Sequence, residues 1–106
     1  MTLRIFSGAM LAAVTLGGCA SFVELKPAAQ SVQVGSTDTV GSCTLRGSVH
    51  VKVLDKLGPV SRDEGKMIIE LNTLARNAAV DLQGDTVLAD GPIKAGERDY
   101  KVYRCK

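Results

Sequence analysis

The sequence predicts a small α+β domain of β-α-β-β order, in which one amphipathic helix packs on a small mixed sheet stapled by one disulfide. Three observations carry that expectation. Apolar and polar residues alternate strictly around residue 50, an apolar stripe recurs at three- and four-residue steps between residues 67 and 82, and two short runs of strand-forming residues follow it.

Leu45, Gly47, Val49, Val51 and Val53 alternate with Thr44, Arg46, Ser48, His50 and Lys52. Period two with β-branched residues on one side describes a strand buried on one face and wet on the other. Asp55-Lys56-Leu57-Gly58-Pro59 ends it. Ser61-Arg62-Asp63-Glu64 has the spacing of a capping box, with Ser61 as N-cap and Glu64 reaching back. Met67, Ile68, Leu71, Leu74, Ala75, Ala78, Ala79 and Leu82 then form one apolar stripe, with Glu70, Arg76, Asn77 and Asp81 placed opposite. Gly84 is expected as the C′ residue that stops this helix. Thr86 to Ala89 reads as a second strand, Asp90 to about Gly96 as a loop, and Asp99 to Cys105 as the last strand. The core is expected to be aliphatic, with Tyr100 and Tyr103 as its large aromatics.

Ahead of this domain the chain reads as a processing signal. Met1-Thr2-Leu3-Arg4 is cationic, and Ile5 to Gly18 is free of charge. As a helix those residues rise only about 21 Å, short of the roughly 30 Å hydrocarbon core, which fits a signal-peptide core rather than a membrane span. Leu16-Gly17-Gly18-Cys19 resembles the lipobox cut by the lipoprotein signal peptidase. The resemblance implies a diacylglycerol thioether and an acylated amine on Cys19, several chains that together anchor a protein lastingly. Under the enterobacterial sorting rule an aspartate in second position retains a lipoprotein in the inner membrane, so Ala20 implies the periplasmic face of the outer membrane. The expected organisation is a signal peptide over 1–18, a lipid anchor and flexible tether over 19–42, and the α/β domain over 43–106. The tether, rich in Ala, Ser, Gly, Thr and Val, carries at most one short strand at Ser31-Val32-Gln33-Val34 and would let the domain stand about 25 Å from the membrane.

With Cys19 assigned to lipid, Cys43 and Cys105 remain, and two leftover cysteines in an exported chain usually pair. Closing a loop of about 63 residues stabilises by roughly 4 kcal/mol in the chain-entropy model. A redox-active pair is the alternative; it lacks Cys-x-x-Cys spacing and a partner that would lower a thiol pKa. Cys43 has the parity of the apolar side of its strand and Cys105 that of Tyr103. Either a bulge near Tyr103 or a Cys43 lying just outside the strand would reconcile them.

Leu74-Ala75-Arg76-Asn77-Ala78-Ala79, Leu82-Gln83-Gly84-Asp85-Thr86-Val87 and the closing Val102-Tyr103-Arg104-Cys105 resemble a family of uncharacterised proteobacterial lipoproteins, domain of unknown function 4156. The lipobox and the cysteine opening the first strong strand resemble it as well. Members often show Gly-Gly-Asn where this chain has Gln83-Gly84-Asp85. The resemblance covers roughly residues 31–105 plus the anchor. It implies outer-membrane attachment and a disulfide-stapled α/β domain, and it supplies no activity. The layout is also similar, in architecture alone, to the outer-membrane lipoprotein that senses damage for the Rcs envelope-stress phosphorelay.

The formal charge of +2 falls to about +1 once Arg4 is removed with the leader, and the basic residues are interleaved with acids or apolar residues. That balance gives no support to nucleic-acid binding or to attraction by an anionic membrane surface. His50 is the only histidine; metal sites need several convergent ligands and general-base catalysis needs a nucleophile beside the base. No catalytic residue, metal ligand or cofactor is therefore assigned, and the chain is expected not to be an enzyme. The candidate interaction residues are a basic stripe of Arg46, His50 and Lys52 on the wet strand face, and Arg76 and Asn77 in the helix. Asn77 is expected to face water and Arg76 to pair with Asp63, Asp81 or Glu70, unless the two bind a partner. The Asp90–Arg98 loop is a further place for a partner-reading element. The expected role is a non-enzymatic interaction or envelope-sensing module, held to the membrane by lipid on Cys19 and touching an envelope protein. The alternatives are a thiol-redox protein using Cys43 and Cys105, or a small-ligand binder between helix and sheet.

Overall fold

A computed structural model describes residues 23–106. The expected signal peptide and Cys19 lie outside the described residues. The elements are β1 (Gln33–Val34), β2 (Thr44–Lys52), β3 (Lys56–Leu57), β4 (Val60–Ser61), α1 (Glu64–Asp81), β5 (Thr86–Ala89) and β6 (Glu97–Arg104), with a 3-10 turn at Pro27–Ala29 ahead of β1. Four strands make a mixed sheet in the order β1-β5-β6-β2, and β3 and β4 form a separate hairpin. β6 is antiparallel to both β5 and β2, so β2 and β5 are parallel and need a crossover, which α1 supplies. The α+β expectation therefore holds, with β1 added alongside β5 in parallel.

The domain is larger than its strong sequence patterns suggest. Ala29, Val32 and Val40 are buried, and Ala29 and Val32 join the core with Leu71, Ala75, Ala79, Val87, Tyr100 and Val102. The segment expected to be a tether over 19–42 is thus packed structure from about residue 24, and the fold does not begin at residue 43. Its buried side chains are small and scattered among Ser, Gly and Thr, so neither period shows.

Four local expectations are corrected. Asp63, not Ser61, caps α1, its carboxylate accepting from the Lys66 amide; Ser61 is used by β4. Gln83, not Gly84, takes the left-handed conformation after the helix (φ 59°). The amides of Gln83 and Gly84 donate to the carbonyls of Val80 and Ala79, the paired bonds of a Schellman ending. Gly84 is needed for another reason: a Cβ there would lie 2.2 Å from Val102 Cγ1 and 3.1 Å from the Tyr103 carbonyl oxygen. Glu70 is not on a wet face but buried, and Ile68, expected inside, is exposed.

The parity conflict of the cysteines resolves in both of the ways left open. Cys43 precedes β2, and the β2–β6 register shifts between Leu45 and Gly47, leaving Arg46 as the extra residue opposite Tyr103 and Val102. The shift turns Leu45 outward, 55% exposed. Cys43 and Cys105 are joined by a disulfide, their Cα atoms 4.4 Å apart.

Candidate functional site

The helix residues singled out in the sequence face the N-terminal arm. Arg76 Nε donates to the carbonyl of Val32 at 2.7 Å, and a terminal nitrogen reaches the carbonyls of Gln30 and Ala29 at 3.2 and 3.3 Å. Asn77 Nδ2 donates to the Glu24 carbonyl at 3.0 Å while its Oδ1 accepts from the Lys26 amide at 2.9 Å. A 3-10 turn leaves carbonyls that no regular partner satisfies, and a planar guanidinium can collect several at once. Arg76 thus meets arm carbonyls rather than the expected Asp63, Asp81 or Glu70, and Asn77 is turned to the arm rather than to water. Together they clasp the arm to α1. Arg76→Ala should lower stability by about 2–3 kcal/mol, since several charged hydrogen bonds go at once. Hydrogen exchange should show the loss first at the amides of Val32 and Gln33, and Arg76→Lys should restore little of it.

The basic stripe is broken up by its neighbours. Arg46, the bulge residue, donates from Nε to the carbonyl of Leu82 and from a terminal nitrogen to Gln83 Oε1, a favourable place for a cation at the end of a helix. Lys52 stays exposed, in register with Glu97. His50 lies between two carboxylates of β6. Its Nδ1 is 2.6 Å from Asp99 Oδ1 and its Nε2 is 2.7 Å from Glu97 Oε1. Asp99 is its direct cross-strand partner and Glu97 is two residues further along the same face.

Only an imidazolium has two N–H donors, so this arrangement selects the protonated ring. The hydrogen bond to Asp99, then that to Glu97, hold the His50 pKa above its ordinary 6.5. The sign follows from linkage. A raised folded-state pKa gives a stabilisation fully present below the unfolded value near 6.5, and it fades as pH rises through the folded value. Because this is the only histidine, its ring protons can be followed directly by NMR. They should titrate above 6.5, and Glu97→Gln with Asp99→Asn should return the midpoint to the ordinary value. The two ring nitrogens point to different acids and do not converge on one centre. Among the described residues, no group of three or more His, Cys, Asp and Glu side chains could hold a metal ion.

The 90–98 loop beside His50 is tied down. The Asp90 amide donates to the Asp99 carbonyl, Arg98 Nε donates to the Gly91 carbonyl, and Lys94 and Glu97 exchange backbone bonds. Asp90, Pro92, Lys94, Glu97, Arg98, Asp99 and His50 line an open concavity of about 530 Å³. The space between helix and sheet, where a ligand pocket was the alternative, is filled by Leu71, Ala75, Ala79, Val87, Tyr100 and Val102.

Asp85 is the polar node that the sequence did not announce. Its carboxylate accepts from the amides of Cys105 and Lys106 at 2.8 and 3.0 Å and from the Thr86 hydroxyl at 3.1 Å. Burial alone would push its pKa up. The Cys105 amide, the Thr86 hydroxyl, the Lys106 amide and the Arg104 guanidinium outweigh that and hold it below the usual carboxylate range. One side chain thereby fixes the terminal segment that carries half of the disulfide.

A family model described as a domain of unknown function, DUF4156, matches residues 23–105. The chain belongs to that family. The DUF4156 match starts where the described chain starts and takes in the arm, the clasp, the His50 cluster and both disulfide cysteines. In this DUF4156 chain the residue at the left-handed helix ending is Gln83, where the resemblance noted above often has glycine. No curated protein and no solved structure matches the chain. No helix among the described residues is long and apolar enough to cross a membrane.

Proposed function

We propose that this protein is a lipoprotein of the bacterial cell envelope, held by acyl chains on Cys19 to the periplasmic face of the outer membrane, and that it works through contacts with another envelope protein rather than by catalysis. The observation that carries the proposal is the ending Leu16-Gly17-Gly18-Cys19 on a charge-free run that follows a cationic start. The Cys43–Cys105 disulfide supports it, since such bonds persist in oxidising compartments. The non-enzymatic reading draws on how the reactive side chains are used. Both domain sulfurs are bonded to each other, both His50 nitrogens meet carboxylates, and Arg76 and Asn77 serve the backbone.

Intact-mass analysis of material from the native host tests the anchor. The expected species begins at Cys19 and carries acyl chains, and Cys19→Ala leaves the membrane fraction. A free Cys19 thiol, or a chain that keeps its leader, overturns the proposal. Crosslinking in intact envelopes tests the role. A specific partner should be recovered with the anchored protein and lost with Cys19→Ala, and failure to recover one counts against an interaction module.

A further inference from the structure

The geometry points to the outward face of α1, with the β3–β4 hairpin that leads into it, as the side of the domain that lies against the phospholipid surface. This rests on the acylation of Cys19 proposed above and adds an orientation to it. Five residue steps separate Cys19 from Glu24 (24 − 19 = 5). Whatever path those residues take, they span at most about 18 Å. From Glu24 onward the arm is fixed, because Asn77 holds both the Glu24 carbonyl and the Lys26 amide, and Leu25 packs against the core. The chain therefore leaves the domain from the helix layer.

The other face of the sheet, where Ser48, His50 and Lys52 are exposed, is on the far side. Reaching it from α1 means rounding a helix about 10 Å thick and then the sheet, a detour of more than about 20 Å. A tether that short cannot turn this face to the membrane, so the His50 cluster points away from the bilayer.

The apolar surface agrees. Among the described residues seven large apolar side chains are exposed, and five of them, Leu54, Leu57, Val60, Ile68 and Ile69, fall within residues 54–69. Ile69 is 63% exposed. It lies eight residues from Asn77, about 12 Å along the helix axis. The exposed Lys56 and Lys66 are balanced there by the exposed Asp63 and Glu64, so the apolar side chains rather than net charge carry the contact.

The test uses the acylated full-length protein in vesicles of phosphatidylethanolamine and phosphatidylglycerol, with a nitroxide placed on Ile69→Cys or, separately, on Ser48→Cys. Both positions are exposed, and Lys66→Cys repeats the first measurement on the neighbouring turn. The label at 69 should lose accessibility to an aqueous nickel relaxant several-fold relative to the acyl-free form, while the label at 48 should not change. Equal accessibility at 69 and 48, with acylation verified by mass on the same sample, overturns the orientation and leaves the anchor standing. Protection at 69 that disappears on diluting protein in lipid indicates contact between copies and also overturns it. A sample in which Cys19 carries no lipid overturns the anchor and the orientation together.

Discussion

Replacing Glu70 with alanine should cost the fold about 3–5 kcal/mol, the range for stranding one half of a buried ion pair. Arg62 and Glu70 form a two-pronged pair, with one nitrogen 3.0 Å from Oε1 and the other 2.8 Å from Oε2, and their side chains are only 7% and 4% exposed. The same guanidinium also donates to the Leu54 carbonyl at 2.9 Å. One side chain thus joins the end of β2, the hairpin and the helix. Without the carboxylate a buried cation loses its counter-charge, and the hairpin loses its hold on α1. Urea unfolding measures the loss. The matching experiment replaces both partners, as Arg62→Met with Glu70→Leu. That variant should recover most of the stability, because two apolar side chains carry no desolvation cost. A loss below about 1 kcal/mol for Glu70→Ala would show the pair to be wet and energetically idle.

Opening the disulfide should have an effect of similar size by a different route. Cys43 and Cys105 are separated by 62 positions, most of the domain, so the bond restricts the unfolded chain strongly. The double variant Cys43→Ser, Cys105→Ser should lose about 4 kcal/mol. For a domain of this length that lowers Tm by on the order of 20 °C in calorimetry. The folded structure should change little, since Asp85 still binds the amides of Cys105 and Lys106. Mass-spectrometric titration separates staple from catalyst. A pair that yields only to strong reductant in unfolded protein is structural, whereas ready reduction of the folded protein with Tm unchanged would favour the thiol-redox alternative.

Much of this fold is legible in the sequence. β2 and α1 each repeat a period long enough to read, β5 and β6 show as short runs of strand-forming residues, and the helix core at Met67, Leu71, Ala75 and Ala79 follows from the helical period. What escapes is whatever depends on pairing between distant segments. Glu70 counts as a surface acid until Arg62, read only as part of a capping box, is folded onto it. His50 belongs to a basic stripe until the β2–β6 register sets it between Asp99 and Glu97. The arm escapes because its contribution is made by small residues, Ala29 and Val32, and by backbone carbonyls that only Arg76 reveals. Of the candidate site residues, Cys43 and Cys105 are found bonded as expected, whereas Arg76 and Asn77 are found holding the chain itself.

The irregularity at Arg46 also governs how copies of the protein treat one another. A sheet of order β1-β5-β6-β2 has two open borders, and open borders template aggregation when they are long and straight. One border here is β1, only two residues long. The other is β2, nine residues long, and the extra residue at Arg46 bends it near its start. Where copies meet side by side, a kinked rim works against strand-to-strand fusion without the help of a proline.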